Sequence, residues 1–203
     1  MNKKIVGICG LIGNGKDTAA GFLLDEGFTQ ISFAGVLKDI VALIFDWDRE
    51  LLEGHSDESR IWRETVDKWW ANRLDIHDFA PRKALTMIGT DTMRNHFHRD
   101  IWVANVERRI EQTECNIVIS DCRFFNELDI IKRYGGTTVS VWRHDKPEWW
   151  DVAVSHNTIG SAIVGLEDIH ASEYSWAGWD FTHELHNDST LESFREKTIK
   201  LLC

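Results

Sequence analysis

The chain has 203 residues, 43% of them hydrophobic and 28% charged, and carries a formal net charge of −10. That is enough for one sizeable core, or for a core with a subdomain. The acidic balance argues against broad electrostatic binding to a nucleic-acid polymer, and no stretch approaches the ~20 apolar residues of a membrane span.

The first predicted element is a strand over residues 5–9, Ile5-Val6-Gly7-Ile8-Cys9. It follows Lys3-Lys4 too closely for a signal peptide to be expected. Next comes Gly10-Leu11-Ile12-Gly13-Asn14-Gly15-Lys16-Asp17-Thr18, running into a helical pattern with Ala19, Ala20, Leu23 and Leu24 on one face. Strand, glycine-rich turn and helix form the setting that the pattern G-x-x-x-x-G-K needs to bind phosphate. Gly10, Gly13 and Gly15 let successive N–H groups curl inward around an anion, and the helix adds the positive end of its dipole. Lys16 can reach the β- and γ-phosphates. The pattern asks for Ser or Thr at 17, where this chain has Asp17 and then Thr18. Asp17 is expected to point at a metal or a neighbouring arginine, and the loop to bind a nucleotide.

Residues 29–34 alternate polar and apolar, as a half-buried strand does, with Ile31 and Phe33 inward. A helix is predicted over 35–45, followed by a charged, irregular stretch to residue 59. Ile61, Trp62, Thr65, Val66, Trp69 and Trp70 read as one stripe of a single helix, serving either core packing or a homodimer face. Pro81 opens another helix, which Gly89-Thr90-Asp91 interrupts or ends. A helix over 101–110 precedes a strand over 117–119 that ends in Ser120-Asp121. The helix over 125–134 stops at Gly135-Gly136, and a strand covers 137–142. Residues 144–178 show no clean period and read as a long excursion or lid. A short strand near 181–185, an Asn187-Asp188 turn and a last helix follow, with Ser189 and Glu192 at capping-box spacing. Most of the ten tryptophans are expected in packing, with one or two available to stack on a base. Cys9, Cys115, Cys122 and Cys203 have no metal-ligand spacing and suit a reducing cytoplasm.

Alternating strands and helices imply an α/β fold with a largely parallel sheet flanked by helices, and ligands at the carboxyl ends of its strands. Gly10 and Asp121 both fall at such ends. A carboxylate at 121 can hold Mg²⁺ through water or accept a proton. Arg123 and Arg143 can clamp phosphoryl oxygens. Lys38, Arg82 and Arg94 are candidate cations for a second phosphate. Strand-end aspartates also cap helices and arginines also form surface ion pairs; the phosphate loop is what favours function here.

Several stretches together resemble phage deoxynucleoside monophosphate kinases. They are Gly15-Lys16-Asp17-Thr18, Phe33-Ala34-x-x-Leu37-Lys38, Arg82 with Gly89-Thr90-Asp91-x-x-Arg94, Asp121-x-Arg123-Phe124-x-Asn126-Glu127, and Asn187-Asp188-x-x-Leu191. The resemblance covers residues 5–143 and 170–202. It implies a single P-loop NTPase domain of the nucleoside monophosphate kinase type. That domain would carry a helical substrate-binding insertion at about 46–110 and a lid-like excursion at about 144–180. The implied activity is transfer of the γ-phosphate of ATP to a deoxynucleoside monophosphate with Mg²⁺, in the cytoplasm (the host's, if phage-encoded).

On this reading ATP contacts Gly10, Gly13, Asn14, Gly15, Lys16, Asp17, Thr18, Asn187 and Asp188. Asp121, with Asp17 or Thr18, serves the metal. The acceptor contacts Lys38, Arg82, Asp91, Arg94, Arg123 and Glu127, and Ser172 and Glu173, with His170, position a sugar hydroxyl or base. Lys16, Asp17, Asp121, Arg123 and Arg143 carry catalysis. No Lys or Arg occurs between Lys146 and Arg195. The lid can therefore exclude water but cannot supply a cation, so Lys16, Arg123, Arg143 or the 82–94 pair must neutralise the transferring group. Two alternatives remain at this stage. A dephospho-coenzyme A kinase shares such a loop and ending and would need Asp121 as a base. A nucleotide-dependent switch would use the acidic, Trp-rich 144–180 surface to meet a partner.

Overall fold

The computed structural model describes residues 3–202, so Cys203 lies outside the described residues. In chain order the elements are β1 (Ile5–Cys9), α1 (Lys16–Asp25), β2 (Thr29–Gln30), α2 (Gly35–Phe45), α3 (Asp57–Glu64), α4 (Lys68–Leu74) and α5 (Pro81–Thr86). A π-helical segment (Met87–Phe97) leads to α6 (Ile101–Gln112), β3 (Ile117–Ile119), α7 (Phe125–Arg133), β4 (Thr137–Trp142), α8 (Trp150–Ile159), α9 (Ala171–Tyr174), β5 (His183–His186) and α10 (Leu191–Ile199). The chain divides into two compact units, one made of residues up to Ser32 and from Val106 onward, the other of Phe33–Asn105.

The first unit holds a five-stranded parallel sheet in the order β2-β3-β1-β4-β5. β1 lies at its centre, with Val6 opposite Val118 on one side and Thr137 on the other. Central strands of a parallel sheet are covered on both faces, which explains why β1, β3 and β4 read as nearly continuous apolar runs. On one face Val6, Ile8, Val118, Val139, Val141 and Leu185 bury against Ala19, Ala20 and Leu23 of α1 and Phe194 of α10. On the other, Ile131 of α7 packs on Gly7. Trp142 stacks edge-on to Trp150 of α8, 4.8 Å between centroids, and lies 5.4 Å from the fully buried Trp176. Beside this cluster a cavity of about 200 Å³ is lined by Trp179, Lys146 and Glu184 among others, and by none of residues 10–18.

The second unit gathers an aromatic core in which Phe45 stacks on Trp47 and meets Trp70 and Phe79. The single tryptophan helix expected over 61–70 is two helices. The backbone turns extended at Thr65, and Asp67 caps α4, its carboxylate accepting from the Trp69 and Trp70 N–H groups at 3.1 Å. Trp62 and Trp70 face the aromatic core, whereas Ile61 and Trp69 are exposed.

Four other expectations shift. The regular part of β2 is shorter than 29–34, although Ile31 and Phe33 are buried as the alternation implied. Helical winding does not end at Gly89-Thr90-Asp91 but widens into π geometry through Phe97. Residues 150–159 of the aperiodic excursion form α8. The cap of α10 is Thr190, whose hydroxyl accepts from Ser193 N–H, one residue after the expected Ser189. Among the described residues no helix is long and apolar enough to cross a membrane.

Candidate active site

The loop between β1 and α1 is shaped by backbone demands that only glycine meets. Gly15 stands at the N-cap of α1 with φ 101°, and a Cβ there would lie 2.6 Å from Asn187 Nδ2. α1 has no side-chain cap, so the N–H groups of its first turn are left for an anion, with the helix dipole behind them. The loop is braced from outside its own sequence. Buried Asn14 donates Nδ2 to the Val141 carbonyl at 2.9 Å, and Asn187 donates Nδ2 to the Asn14 carbonyl at 3.0 Å. Asn187 is itself placed by its N–H bond to the Trp142 carbonyl, which continues the β4–β5 ladder. Asp188 points elsewhere, to Lys197 at 2.8 Å, and this ammonium holds its carboxyl below the usual carboxylate range.

Lys16 is buried and folds back to donate to the Leu11 carbonyl at 2.9 Å. Burial, and then the neighbouring Arg123 charge, push its pKa down to about 8. Arg123 Nη1 reaches the Gly10 carbonyl at 3.4 Å and the two Glu173 oxygens at 3.3 and 3.4 Å. Asp17 does not meet an arginine: its Oδ1 accepts from the Ser120 hydroxyl at 3.1 Å, because Ser120 closes β3 beside the first turn of α1. Ser32 donates to Asp121 Oδ2 at 2.7 Å, and Thr18 is exposed. Glu127 is buried, and its carboxylate accepts from the Arg123 and Phe124 N–H groups at 2.7 and 3.2 Å. It therefore holds the backbone that presents Arg123. Arg143, just past β4, is exposed, and Ser172 lies against His170 Nδ1. The first unit thus brings together Lys16, Asp17, Asp121, Arg123 and Glu173 around an open helix N-terminus.

The second unit has a charged group of its own. Lys38 pairs with Glu53 at 2.5 Å, and Arg49 bridges Glu53 and Asp39. Arg82 pairs with Glu64 at 2.8 Å. Arg63 was not anticipated. Its Nη1 donates to the Glu53 carbonyl at 3.1 Å, while its Nε is buried without a hydrogen-bond partner. Burial and the nearby Arg82 charge lower its pKa. A half-buried guanidinium with an unsatisfied donor beside a second cation is suited to an anion. In sequence Arg63 looks like any arginine on the wet side of a helix; its proximity to Glu53 and Arg82 is tertiary. Asp91 and Arg94 lie on the π-helical segment, Asp91 exposed and Arg94 half-buried.

Residues 51–160 match the family described as deoxynucleotide monophosphate kinase. A protein of Acanthamoeba polyphaga mimivirus, named a putative deoxynucleotide monophosphate kinase, is 29% identical over 211 residues, covering 96% of this chain and 94% of its own. Among solved structures, dephospho-CoA kinase from Campylobacter jejuni aligns at 15% identity and TM-score 0.48, covering all of this chain and 97% of its own. TT1252 from Thermus thermophilus aligns at 20% identity and TM-score 0.47, with the same coverage.

Proposed function

The chain belongs to the deoxynucleotide monophosphate kinase family and is an ATP-dependent phosphotransferase acting on deoxynucleoside monophosphates, and we propose how its residues divide that task. The ATP phosphates lie on residues 10–18, with Lys16 on the β- and γ-phosphates and Arg123 on the transferring group. The observation that supports this is the uncapped N-terminus of α1, ringed by a braced glycine loop and two cations. Lys38, Arg63, Arg82 and Arg94 of the second unit hold the acceptor monophosphate, with Asp91 as a polar contact.

A phosphate oxygen of the acceptor is already a nucleophile, so the protein needs little general-base strength. Lys16 and Arg123 offset the charge that spreads over the transferring oxygens. Glu127 contributes by fixing the 123–124 backbone, and Asn187 by fixing the loop. Mg²⁺ fits this oxygen-rich setting: the Asp17 and Asp121 carboxylates, with the Thr18 hydroxyl, are the hard donors it takes beside substrate phosphates. When bound it supplies further neutralisation of phosphoryl charge. Among the described residues no group of three or more His, Cys, Asp or Glu could hold a metal ion. The buried, free thiols of Cys9 and Cys122 suit a cytoplasmic setting.

Purified protein with Mg-ATP and a panel of dAMP, dCMP, dGMP, dTMP, dephospho-CoA and no acceptor tests this in one coupled assay. Turnover is expected with deoxynucleoside monophosphates alone. Lys16→Ala is expected to abolish that turnover while leaving the circular dichroism spectrum unchanged; near-full activity in the variant would sink the assignment of the loop.

A further inference from the structure

Glu173 sits where an anion belongs. Both of its oxygens approach Arg123 Nη1, at 3.3 and 3.4 Å, and its charge also acts on Lys16. These are the two cations assigned above to the ATP phosphates. We propose that Glu173 is a stand-in anion: it occupies the place beside Lys16 and Arg123 in the nucleotide-free protein, and nucleotide phosphate displaces it, releasing α9. The inference rests on the ATP reading of the loop and adds a competition to it.

Three observations carry the argument. The Glu173–Arg123 contacts are longer than the 2.7–2.9 Å typical of strong charge-assisted bonds, and each side chain is about a quarter exposed (24% and 23%), so the pair exchanges readily. Phosphates arriving at Lys16 and Arg123 bring like charge against the Glu173 carboxylate, which disfavours their sharing the site. Finally, α9 is a single turn, too short to hold itself, and it hangs between two anchors. Asn157 Nδ2 donates to the Tyr174 and Ala177 carbonyls at 2.7 and 3.0 Å, and Trp176 is fully buried just beyond. Before α9, Leu166 is fully buried, and between it and Tyr174 no residue is. Displacement of Glu173 thus frees residues 167–173 while the anchors at Leu166 and from Tyr174 onward hold. The sign is opposite to that of a lid carrying arginines: α9 lies in a segment with no Lys or Arg from 147 to 194, and it is driven off by phosphate, not drawn in.

Hydrogen exchange on the full chain, with and without Mg-ATP, reads the displacement directly. In the wild type, nucleotide is expected to speed exchange across 167–173 and leave 174–177 protected. Glu173→Gln is expected to exchange fast over 167–173 without nucleotide and to bind ATP about fivefold tighter, the effect of removing one partly screened ion pair. Glu173→Ala should change both readouts in the same direction, with circular dichroism reporting that both variants are folded. Slower exchange across 167–173 on adding ATP, or unchanged or weaker ATP binding by both variants, would overturn the proposal. So would a raised KM for the deoxynucleoside monophosphate with ATP affinity unchanged, which would assign Glu173 to the acceptor. Failure of the wild type to bind ATP at all is a different result, and removes the ATP reading with it.

Discussion

In the free protein Lys16 has a pKa of about 8, held there first by burial and then by Arg123. The sign of the consequence differs for folding and for binding. Folding favours the neutral lysine, so the Lys16 contribution to stability of the nucleotide-free protein rises as pH increases from about 8 towards the unfolded value of 10.5. Nucleotide phosphates favour the charged lysine, so affinity is full below about 8 and falls by up to about tenfold per pH unit above it. Calorimetric titration with ADP at pH 9 in buffers of different ionisation enthalpy should therefore show proton uptake that Lys16→Met abolishes. Asn187 makes a second prediction at this scale. Its side-chain bond to the Asn14 carbonyl holds the loop and contributes about 1 kcal/mol. Asn187→Ala should raise KM for ATP by roughly five- to tenfold while kcat changes less, because loop geometry is lost but Lys16 remains. Of the individual side chains, those tied to a local pattern were legible in the sequence: Lys16 follows its glycines, and Asp121 and Arg123 follow their strand. Arg63 and the inward turn of Glu127 were not, because each is defined by a partner that only the folded chain brings near.

The π-helical segment is the element whose sequence and geometry constrain each other most. Gly89 is buried there, and a Cβ would stand 2.4 Å from Leu37 Cδ2. Its carbonyl accepts from Trp102 Nε1 at 3.0 Å. Gly89→Ala should destabilise the second unit by about 1–3 kcal/mol through overpacking against α2, visible as a lowered thermal midpoint. A pairing Leu37→Val should recover part of the loss by making room. Elements were legible in proportion to the regularity of their apolar pattern. β1, β3 and β4 are short apolar runs with turn residues after them, and their bounds hold closely. α8 escaped because it buries chiefly Trp150 and Ala153, too few for a stripe, and takes its shape from Trp142 and Trp176. The helix expected over 61–70 failed for the reverse reason. An apolar spacing continued across Thr65 and Asp67, and the capping chemistry of an aspartate prevailed over it.

For the molecule as a whole, a cluster of indoles ties the excursion after β4 to the sheet. Trp176 is fully buried between Trp142 and Trp150, and Phe181 meets it at 5.9 Å. Trp176→Ala should cost about 3–5 kcal/mol and expose residues 150–180 to limited proteolysis before global unfolding. The α/β class was legible from alternation alone, but strand order was not, since it depends on contacts between distant residues. That order has a further consequence. Asn14 and Asn187 are 173 positions apart, and β1 has β3 on one side and β4 on the other. On the ribosome, the phosphate loop emerges almost at once yet stays without its brace until nearly all of the chain has followed. A nascent chain halted before residue 187 should fail to be retained on immobilised ATP, and retention should appear abruptly once β5 and its asparagine have cleared the exit tunnel.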